Sequence, residues 1–258
     1  MSLMVYAPYG RTGVYMLQDY CRRLGIGTSQ QEIDDLMAVL KTLPQQHPLV
    51  ALLRGSRDAA NADALADALL NPRDRSYSVP QLFEFIERSG LMFVRWYSQA
   101  PYLPQCGAIA VTAHAKRLAA LAERDQYAAM ELWRGTLASH SVIVSRHDAS
   151  DVRWKVRFDD QERWPQYVPV RLPGTLCVQE RLPAGAAGVL LSRYHASPDL
   201  ILAIDAQEKA MVDAIDGRRS IAAIVEQAGG GRLLPRARTL FEKLHWYDQV
   251  VFDSSQSR

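Results

Sequence analysis

Long apolar runs are missing from this sequence. No apolar segment of its 258 residues approaches the roughly 18 residues that a membrane-spanning helix needs. The first twenty residues are interrupted by Pro8, Arg11 and Asp19, where a secretion signal requires an unbroken apolar stretch. These absences exclude a transmembrane helix and an N-terminal signal, and they predict a cytoplasmic protein.

Cysteine is scarce, and neither sign of charge is in excess. The three cysteines, Cys21, Cys106 and Cys177, are odd in number and widely spaced, which favours reduced thiols in ordinary packing over a disulfide framework. With 30 basic and 28 acidic residues, the net charge of +2 is too small to mark a nucleic-acid-binding surface. With 48% hydrophobic residues, the chain can nevertheless bury a large core.

The sequence opens with a strand followed by a turn. The run Met4-Val5-Tyr6-Ala7-Pro8-Tyr9-Gly10 is typical of the end of a buried strand and the turn after it. A strand at residue 3 has no room upstream for the sheet that it must join. We therefore expect the chain to be the back half of a larger enzyme, and an unpaired strand edge that favours self-association.

Helical patterns follow as far as Gly90. Capping-box spacing at Ser29 and Glu32 predicts a helix that runs to Leu43. The other elements expected here are a helix at 62–69, a polar loop at 54–60, a helix that begins at Ser78 and Gln81 and closes at Gly90, and a strand at 91–96. The aromatic and proline-rich run at 97–104 suits a packing loop between lobes or a groove wall, and we favour packing.

The second half of the chain changes in character. Apolar spacing predicts one long helix from His114 to about Ala138 that crosses between two lobes. Short β-like runs at 142–144, 152–158, 167–172 and 189–191, separated or edged by prolines, predict a connecting β ribbon. Helices at 206–215, after Ser220 and from Pro235, followed by a strand at 249–252, indicate a winged-helix-like module.

Two segments resemble late elements of class I S-adenosylmethionine-dependent methyltransferases. These are Leu3–Thr12 and Tyr77–Trp96, the second through its helix-to-strand step. The inserted helices of 13–75 and the tail are similar to the regulatory regions of a bacterial subgroup that resembles protein-lysine methyltransferases.

The resemblance implies a mostly helical α+β fold. We expect late core elements with a helical regulatory insert at 1–105, a long connecting helix and β ribbon at 106–196, and the winged-helix-like module at 197–258.

The family's donor-binding turn is absent from the sequence. Class I methyltransferases hold the donor with a glycine-rich turn of the Asp/Glu-x-Gly-x-Gly type after an early strand, where the backbone comes close to the ligand. Gly25 and Gly27 lie between two predicted helices, and the glycines at 229–231 lie at a helix end. We therefore expect no cofactor in this chain, although the resemblance implies S-adenosylmethionine for the intact parent enzyme.

Tyr6, Tyr9 and Arg11 are the candidate substrate-side residues. They follow a strand at its carboxyl end, where open α/β sheets place ligands. A phenol can orient a nucleophile, and a guanidinium can hold a carboxylate or phosphate. The alternative is that the tyrosines pack and Arg11 is solvated. No catalytic or metal site is expected, because the six histidines show no metal-ligand spacing and Cys106 has no adjacent base.

These features favour a substrate-selecting, regulatory C-terminal portion of a methyltransferase that is not competent alone. Its expected partner is an upstream methyltransferase core or another protein chain, with a homo-oligomer through the N-terminal strand edge as a further possibility. A stand-alone protein-binding adaptor is the first rival, and a winged-helix DNA-binding regulator is the second. The arginines at 232, 236 and 238 suggest the latter, but residues 197–258 carry eight basic and nine acidic residues, which disfavours DNA.

Overall fold

The computed structural model describes residues 1–54, 61–146, 156–195 and 197–253. Helices, short 3-10 helices included, account for 46% of the described residues, and small antiparallel sheets supply the strands. The helices are α1 Thr12–Leu24, α2 Gln30–Leu40, α3 Pro48–Arg54, α4 Ala62–Leu70, α5 Val79–Arg88, α6 Ala115–Ala119, α7 Glu123–Arg134, α8 Ala206–Asp213, α9 Ile221–Ala228 and α10 Leu234–Trp246. The strands are β1 Ser2–Tyr6, β2 Leu91–Trp96, β3 Ser139–Arg146, β4 Val168–Arg171, β5 Thr175–Val178, β6 Gly188–Ser192, β7 Leu202–Ile204 and β8 Val250–Asp253.

The first sheet has the order β1-β3-β2, with β3 antiparallel to both neighbours. Tyr6 pairs with Ser139 and Ser2 with Ile143, so β1 finds its sheet within this chain. The expectation that the strand lacks a local sheet was therefore wrong, because its partner lies more than 130 residues downstream. The strand is also not buried: Met4 is 54% exposed and Tyr6 37%.

One face of this sheet carries the first core. α5 and α7 pack together on that side, and the core contains Val79, Leu82, Phe83 and Ile86 of α5. Trp96 of β2, Tyr127 of α7, and Val142 and Val144 of β3 complete it. The amphipathic pattern of α5 and its Gln81 side chain, which accepts from the Ser78 amide at 2.9 Å, explain why this helix was predicted correctly.

Helices α1 to α4 form a second core of their own, centred on Leu17, Leu36, Leu49 and Leu69. The capping box at Ser29 and Glu32 is confirmed, although α2 ends at Leu40 rather than Leu43. Helix α3 was missed because its seven residues are too few to show a clear period. The predicted polar loop at 54–60 lies, apart from Arg54, outside the described residues.

The single long helix predicted for 114–138 was wrong. It is divided into α6 and α7, and the Gln126 side chain donates to the Leu121 carbonyl at 2.9 Å, where a continuous helix would supply a backbone amide. Glu123 and Asp125 favour a new helix start by their charge. Gly135, with a φ of 62°, ends α7.

The connecting ribbon was wrong as well. β3 belongs to the first sheet, β4 pairs with β8, and β5, β6 and β7 form a third sheet. Part of the predicted run at 152–158 lies outside the described residues. Strand periodicity identified most of these strands, but pairing partners far apart in sequence decided their sheets.

The third core lies in the C-terminal part. Helices α8, α9 and α10 and β8 appear in the predicted order, with Ser220 capping α9. Large members of this core are Tyr167, Leu190, Met211, Ile221 and Phe241. A winged-helix assignment for this part remains a prediction.

A buried polar chain holds α5, α7 and β3 together. The Glu131 carboxylate accepts from the Val79 amide at 2.8 Å and lies 3.0 Å from His140 Nε2. The Tyr102 hydroxyl lies 2.7 Å from His140 Nδ1. Burial raises the pKa of Tyr102, so its phenol keeps its proton. A carboxylate only accepts hydrogen bonds, so His140 Nε2 carries a proton and donates to Glu131.

The segment 99–108, here called the junction, joins the N-terminal and C-terminal parts. Gln99 donates to the His245 carbonyl at 2.6 Å, and the Ala100 amide donates to Asp248 at 2.9 Å. The Gly107 amide donates to the Tyr247 hydroxyl at 3.0 Å. Gly107 has a φ of 78°, and any Cβ there would lie 2.2 Å from an Asp199 carboxylate oxygen, so the position requires glycine.

Asp248 links the junction to β2 through an ion pair. Its carboxylate lies 3.3 Å from Arg95 Nη2 of β2, while its own side chain is 1% exposed. Burial raises the pKa of Asp248 to about 6, against the opposing effect of backbone amides and Arg95. Burial also lowers the pKa of Arg95. Desolvation thus outweighs the attraction between the two charges.

We predict that Glu131→Ala lowers the free energy of unfolding by about 3–5 kcal/mol, because it leaves two buried donors without an acceptor. Urea denaturation measures this loss. The matched control is Glu84→Ala, whose side chain is 55% exposed and for which we expect a change within about 0.5 kcal/mol. Equal losses in both variants would contradict the role of the buried chain.

We also predict that Asp248 makes stability depend on pH. The folded state keeps its proton up to about pH 6, whereas the ordinary carboxyl pKa is 3.8, so this group stabilises the fold at low pH and the effect is lost as pH rises through 6. The shift corresponds to about 3 kcal/mol. Asp248→Asn keeps an acceptor and tolerates the positive φ of 52°.

The measurement is the difference in unfolding free energy between wild type and Asp248→Asn at several pH values. We expect wild type to gain on the variant by up to about 3 kcal/mol between pH 7 and pH 4. The comparison is needed because His245, whose pKa burial lowers to about 4, has the opposite effect in the same range. A difference that does not vary with pH would refute the prediction.

Candidate functional site

The turn after β1 brings two of the three predicted residues into contact. The Arg11 guanidinium carbon lies 3.5 Å from the centre of the Tyr6 ring, and Nη2 lies 3.1 Å from Asp74. Arg11 is only 8% exposed, so it is not the solvated side chain of the alternative interpretation. The ion pair with Asp74 and the stacking on Tyr6 fix its position.

Further polar residues surround Arg11. Gln18 of α1 donates to Asp74 at 2.9 Å, and burial together with the charge of Asp74 raises the pKa of Tyr15. Asp74 lies 63 residues from Arg11 in sequence, and no local motif signals their contact. Sequence reasoning therefore missed Asp74, Gln18 and Tyr15.

Tyr9 lies apart from this cluster, with 43% of its surface exposed. Its carbonyl accepts from the Thr12 hydroxyl at 2.7 Å, which shapes the start of α1. Of the three predicted residues, Tyr9 is therefore the most accessible to a ligand. A substrate-side role for Tyr6, Tyr9 and Arg11 remains a prediction.

The same turn packs against a cleft. The Ala7 amide donates to the Ala138 carbonyl at 3.0 Å. A Cβ at Gly10 would lie 2.2 Å from the Leu137 carbonyl oxygen, so only glycine allows this approach. Leu137 and Ala138 in turn line the cleft. The carboxyl end of β1 and the cleft are therefore neighbours.

The cleft has a volume of about 690 Å³ and lies between the two parts of the molecule. Its first wall is built from Tyr97 and Pro101, its second from the end of α7 and the start of β3, and its third from residues 194, 195 and 197–199. The sequence run at 97–104 thus packs, as predicted, and also forms a groove wall. Sequence patterns did not point to the other two walls, which lie far along the chain.

Arg134 and Asp199 lie at the base of this cleft. Arg134 Nε donates to the Pro101 carbonyl at 2.7 Å, and Nη1 lies 3.0 Å from an Asp199 oxygen. The other Asp199 oxygen accepts from the Ala108 amide at 3.0 Å. His195 also lines the cleft, and burial and the nearby Arg134 lower its pKa.

The described residues do not fit the methyl donor. Gly25 ends α1, and the Gly27 amide donates to the capping Glu32 at 2.9 Å. Gly229 ends α9. None of these glycines follows a strand, which is where a backbone cradle for the donor would lie.

Other reactive groups carry structural roles in the part of the chain that the structure describes. Cys106 is fully buried, and burial raises the pKa of its thiol, so it is not a nucleophile. No group of three potential metal ligands was found among those residues. None of their helices is long and apolar enough to cross a membrane.

Comparison with known proteins places the fold. No family model matches the chain. Among solved structures, it is similar to PKMT2 from Rickettsia typhi in complex with AdoHcy, with a TM-score of 0.59 and 14% identity over 99% of this chain and 52% of that one. A second structure of PKMT2 from Rickettsia typhi gives a TM-score of 0.60 and 12% identity over the same shares.

At this level of identity the likeness shows the fold alone. The chain spans about half the length of the PKMT2 structures that it matches. Its fold is therefore similar to that of about half of the PKMT2 chain.

Proposed function

We propose that this chain is the acceptor-side, C-terminal portion of an S-adenosylmethionine-dependent protein methyltransferase. In this proposal the β1-β3-β2 sheet forms the edge of the catalytic sheet of the parent enzyme. Helices α1–α4 form a regulatory region, and the tail is winged-helix-like. The main support is the position of the β1 carboxyl end, with Tyr6, Tyr9 and Arg11, beside the cleft. Open α/β sheets bind ligands at the carboxyl ends of parallel strands, and β3 is antiparallel to β1, so the proposal requires β1 to lie parallel to the strands of the parent catalytic sheet.

The donor is assigned to residues outside this chain. This is consistent with the match of 99% of the chain to only 52% of a PKMT2 structure that contains AdoHcy. It is also consistent with the positions of the glycines, since Gly10 after β1 packs against the Leu137 backbone, and Gly25 and Gly229 end helices. Tyr9 would orient the acceptor amine, and Arg11 would fix the turn through Asp74 and Tyr6.

The outer edge of β1 favours a partner for the sheet. The Ala7 amide points to β3, so backbone alternation turns the polar groups of Ser2 and Met4 away from it. On that edge the segment at Ser76 covers only Tyr6 among the described residues. A methyltransferase core that supplies the next strand fits this edge, as does a second copy of the chain.

A DNA-binding role receives less support. Arg236, one of the three tail arginines, forms ion pairs with Asp205 and Glu208. Its charge is therefore neutralised within the tail rather than presented to phosphate.

We predict that this chain alone shows no binding of S-adenosylmethionine tighter than about 1 mM. Isothermal titration calorimetry with S-adenosylmethionine and with AdoHcy measures this. The Rickettsia typhi PKMT2 serves as the positive control. Stoichiometric binding of S-adenosylmethionine by the present chain would refute the proposal that the donor is held elsewhere.

A chimera tests the acceptor side directly. The present chain replaces the superposing half of Rickettsia typhi PKMT2, and transfer of tritium from labelled S-adenosylmethionine to lysine-bearing proteins is measured. We expect transfer by the chimera, and a loss of at least about tenfold in kcat with Tyr9→Phe at unchanged donor affinity.

The matched control is Tyr20→Phe. Tyr20 is 40% exposed, close to the 43% of Tyr9, but lies on α1 away from the turn. We expect it to leave the rate unchanged. A chimera that binds the donor without transferring methyl groups would count against the proposed function.

A further inference from the structure

The base of the cleft contains polar atoms without partners. Arg134 Nη2 and both ring nitrogens of His195 are buried and form no hydrogen bond among the described residues. The Arg134 side chain is 4% exposed. Leaving such groups unpaired costs about 1–3 kcal/mol each. A ligand group that reaches them recovers that free energy.

The charge at this base is already cancelled. Arg134 is paired with Asp199 at 3.0 Å, and Asp199 is held in turn by the Ala108 amide. His195 is neutral at pH 7, because burial and the charge of Arg134 lower its pKa. An anion would meet the Asp199 carboxylate, and a cation would meet Arg134. The site therefore favours a neutral, polar group.

The unpaired nitrogens of Arg134 and His195 determine the hydrogen-bonding pattern that the ligand group must have. Arg134 Nη2 donates only, whereas a neutral imidazole has one donor and one acceptor nitrogen. A peptide group matches both residues, since its carbonyl accepts from Arg134 and its amide donates to His195. A carboxylate carries charge and has no donor. A hydroxyl both donates and accepts, but on a single oxygen, whereas a peptide group presents its acceptor and its donor on two separate atoms.

The walls are aromatic and accessible. Tyr97 is 58% exposed, Trp133 48% and Tyr194 41%. The Tyr97 and Tyr194 rings meet at 79° with their centres 6.5 Å apart. Such surfaces take aliphatic side chains and the stems of long polar ones. The volume of about 690 Å³ lies within the range of small-ligand sites.

We propose that the cleft is a binding groove for an extended polypeptide segment. One backbone peptide group pairs with Arg134 and His195, and the aromatic walls hold the flanking side chains. If the proposed function is right, this segment belongs to the methyl acceptor, and this assignment of the segment rests on the proposed function. Binding itself requires neither the donor nor methyl transfer.

The test uses the whole chain and a defined probe, the capped peptide acetyl-Leu-Ala-Lys-Ala-Leu-amide. The NMR signal of the His195 ring, assigned by its loss in His195→Asn, is followed during titration. Phosphate and acetate are titrated separately as anionic probes. We expect the peptide to shift the His195 signal in a saturable manner and the two anions to have no effect.

Variants locate the binding. Tyr194→Ala, at an exposed wall position, should weaken the peptide about fivefold, and Arg134→Lys about tenfold. Tyr20→Ala, at 40% exposure outside the cleft, should leave affinity unchanged. Because Arg134 also holds the junction, Tyr194→Ala keeps the test valid if Arg134→Lys unfolds.

Three results would overturn the inference. They are a shift of the His195 signal by phosphate or acetate but not by the peptide, no shift by any probe, and peptide affinity that is the same in wild type and Tyr194→Ala. Peptide binding by the chain together with an inactive chimera would reject the proposed function while the groove stands. An active chimera without peptide binding in the cleft would reject the groove while the proposed function stands.

Discussion

The junction of residues 99–108 is the constraint on which the other parts of this structure depend. Ala100 and Cys106 are buried in the C-terminal core, while Tyr102, between them, is buried in the core of the first sheet. A segment shared by two cores cannot move without disturbing both. Carboxylates from the C-terminal part, Asp248 and Asp199, accept from its amides and hold its backbone in place.

This arrangement buries charged side chains, which costs desolvation free energy. For Asp248 and Arg95, desolvation outweighs mutual attraction, so their contact specifies geometry more than it adds stability. The pair between Arg134 and Asp199 lies at the other end of the junction, where it also forms the base of the cleft. There burial raises the pKa of Asp199, but the Ala108 amide and Arg134 outweigh it and lower that pKa. The polar contacts that join the two parts thus define the cavity between them.

The candidate site arises from this joining. The turn after β1 lies beside the cleft, and the cleft walls come from segments remote in sequence, among them the end of α7 and residues 194, 195 and 197–199. Gly10 brings the turn against Leu137, and Arg134 brings the end of α7 against Asp199. The proposed acceptor-side role and the proposed peptide groove would use neighbouring surfaces, because the turn after β1 packs against Leu137, which lines the cleft.

The sequence by itself determined the local elements that carry strong short-range signals. The capping boxes at Ser29 and Ser78, the strand 91–96 and the order of elements in the tail follow from contacts within a few residues. Only the tertiary structure decided the division of the helix at 114–138, the insertion of β3 between β1 and β2, and the meeting of Arg11 with Asp74. These depend on pairing and burial between distant segments, for which a single sequence carries no periodic signal.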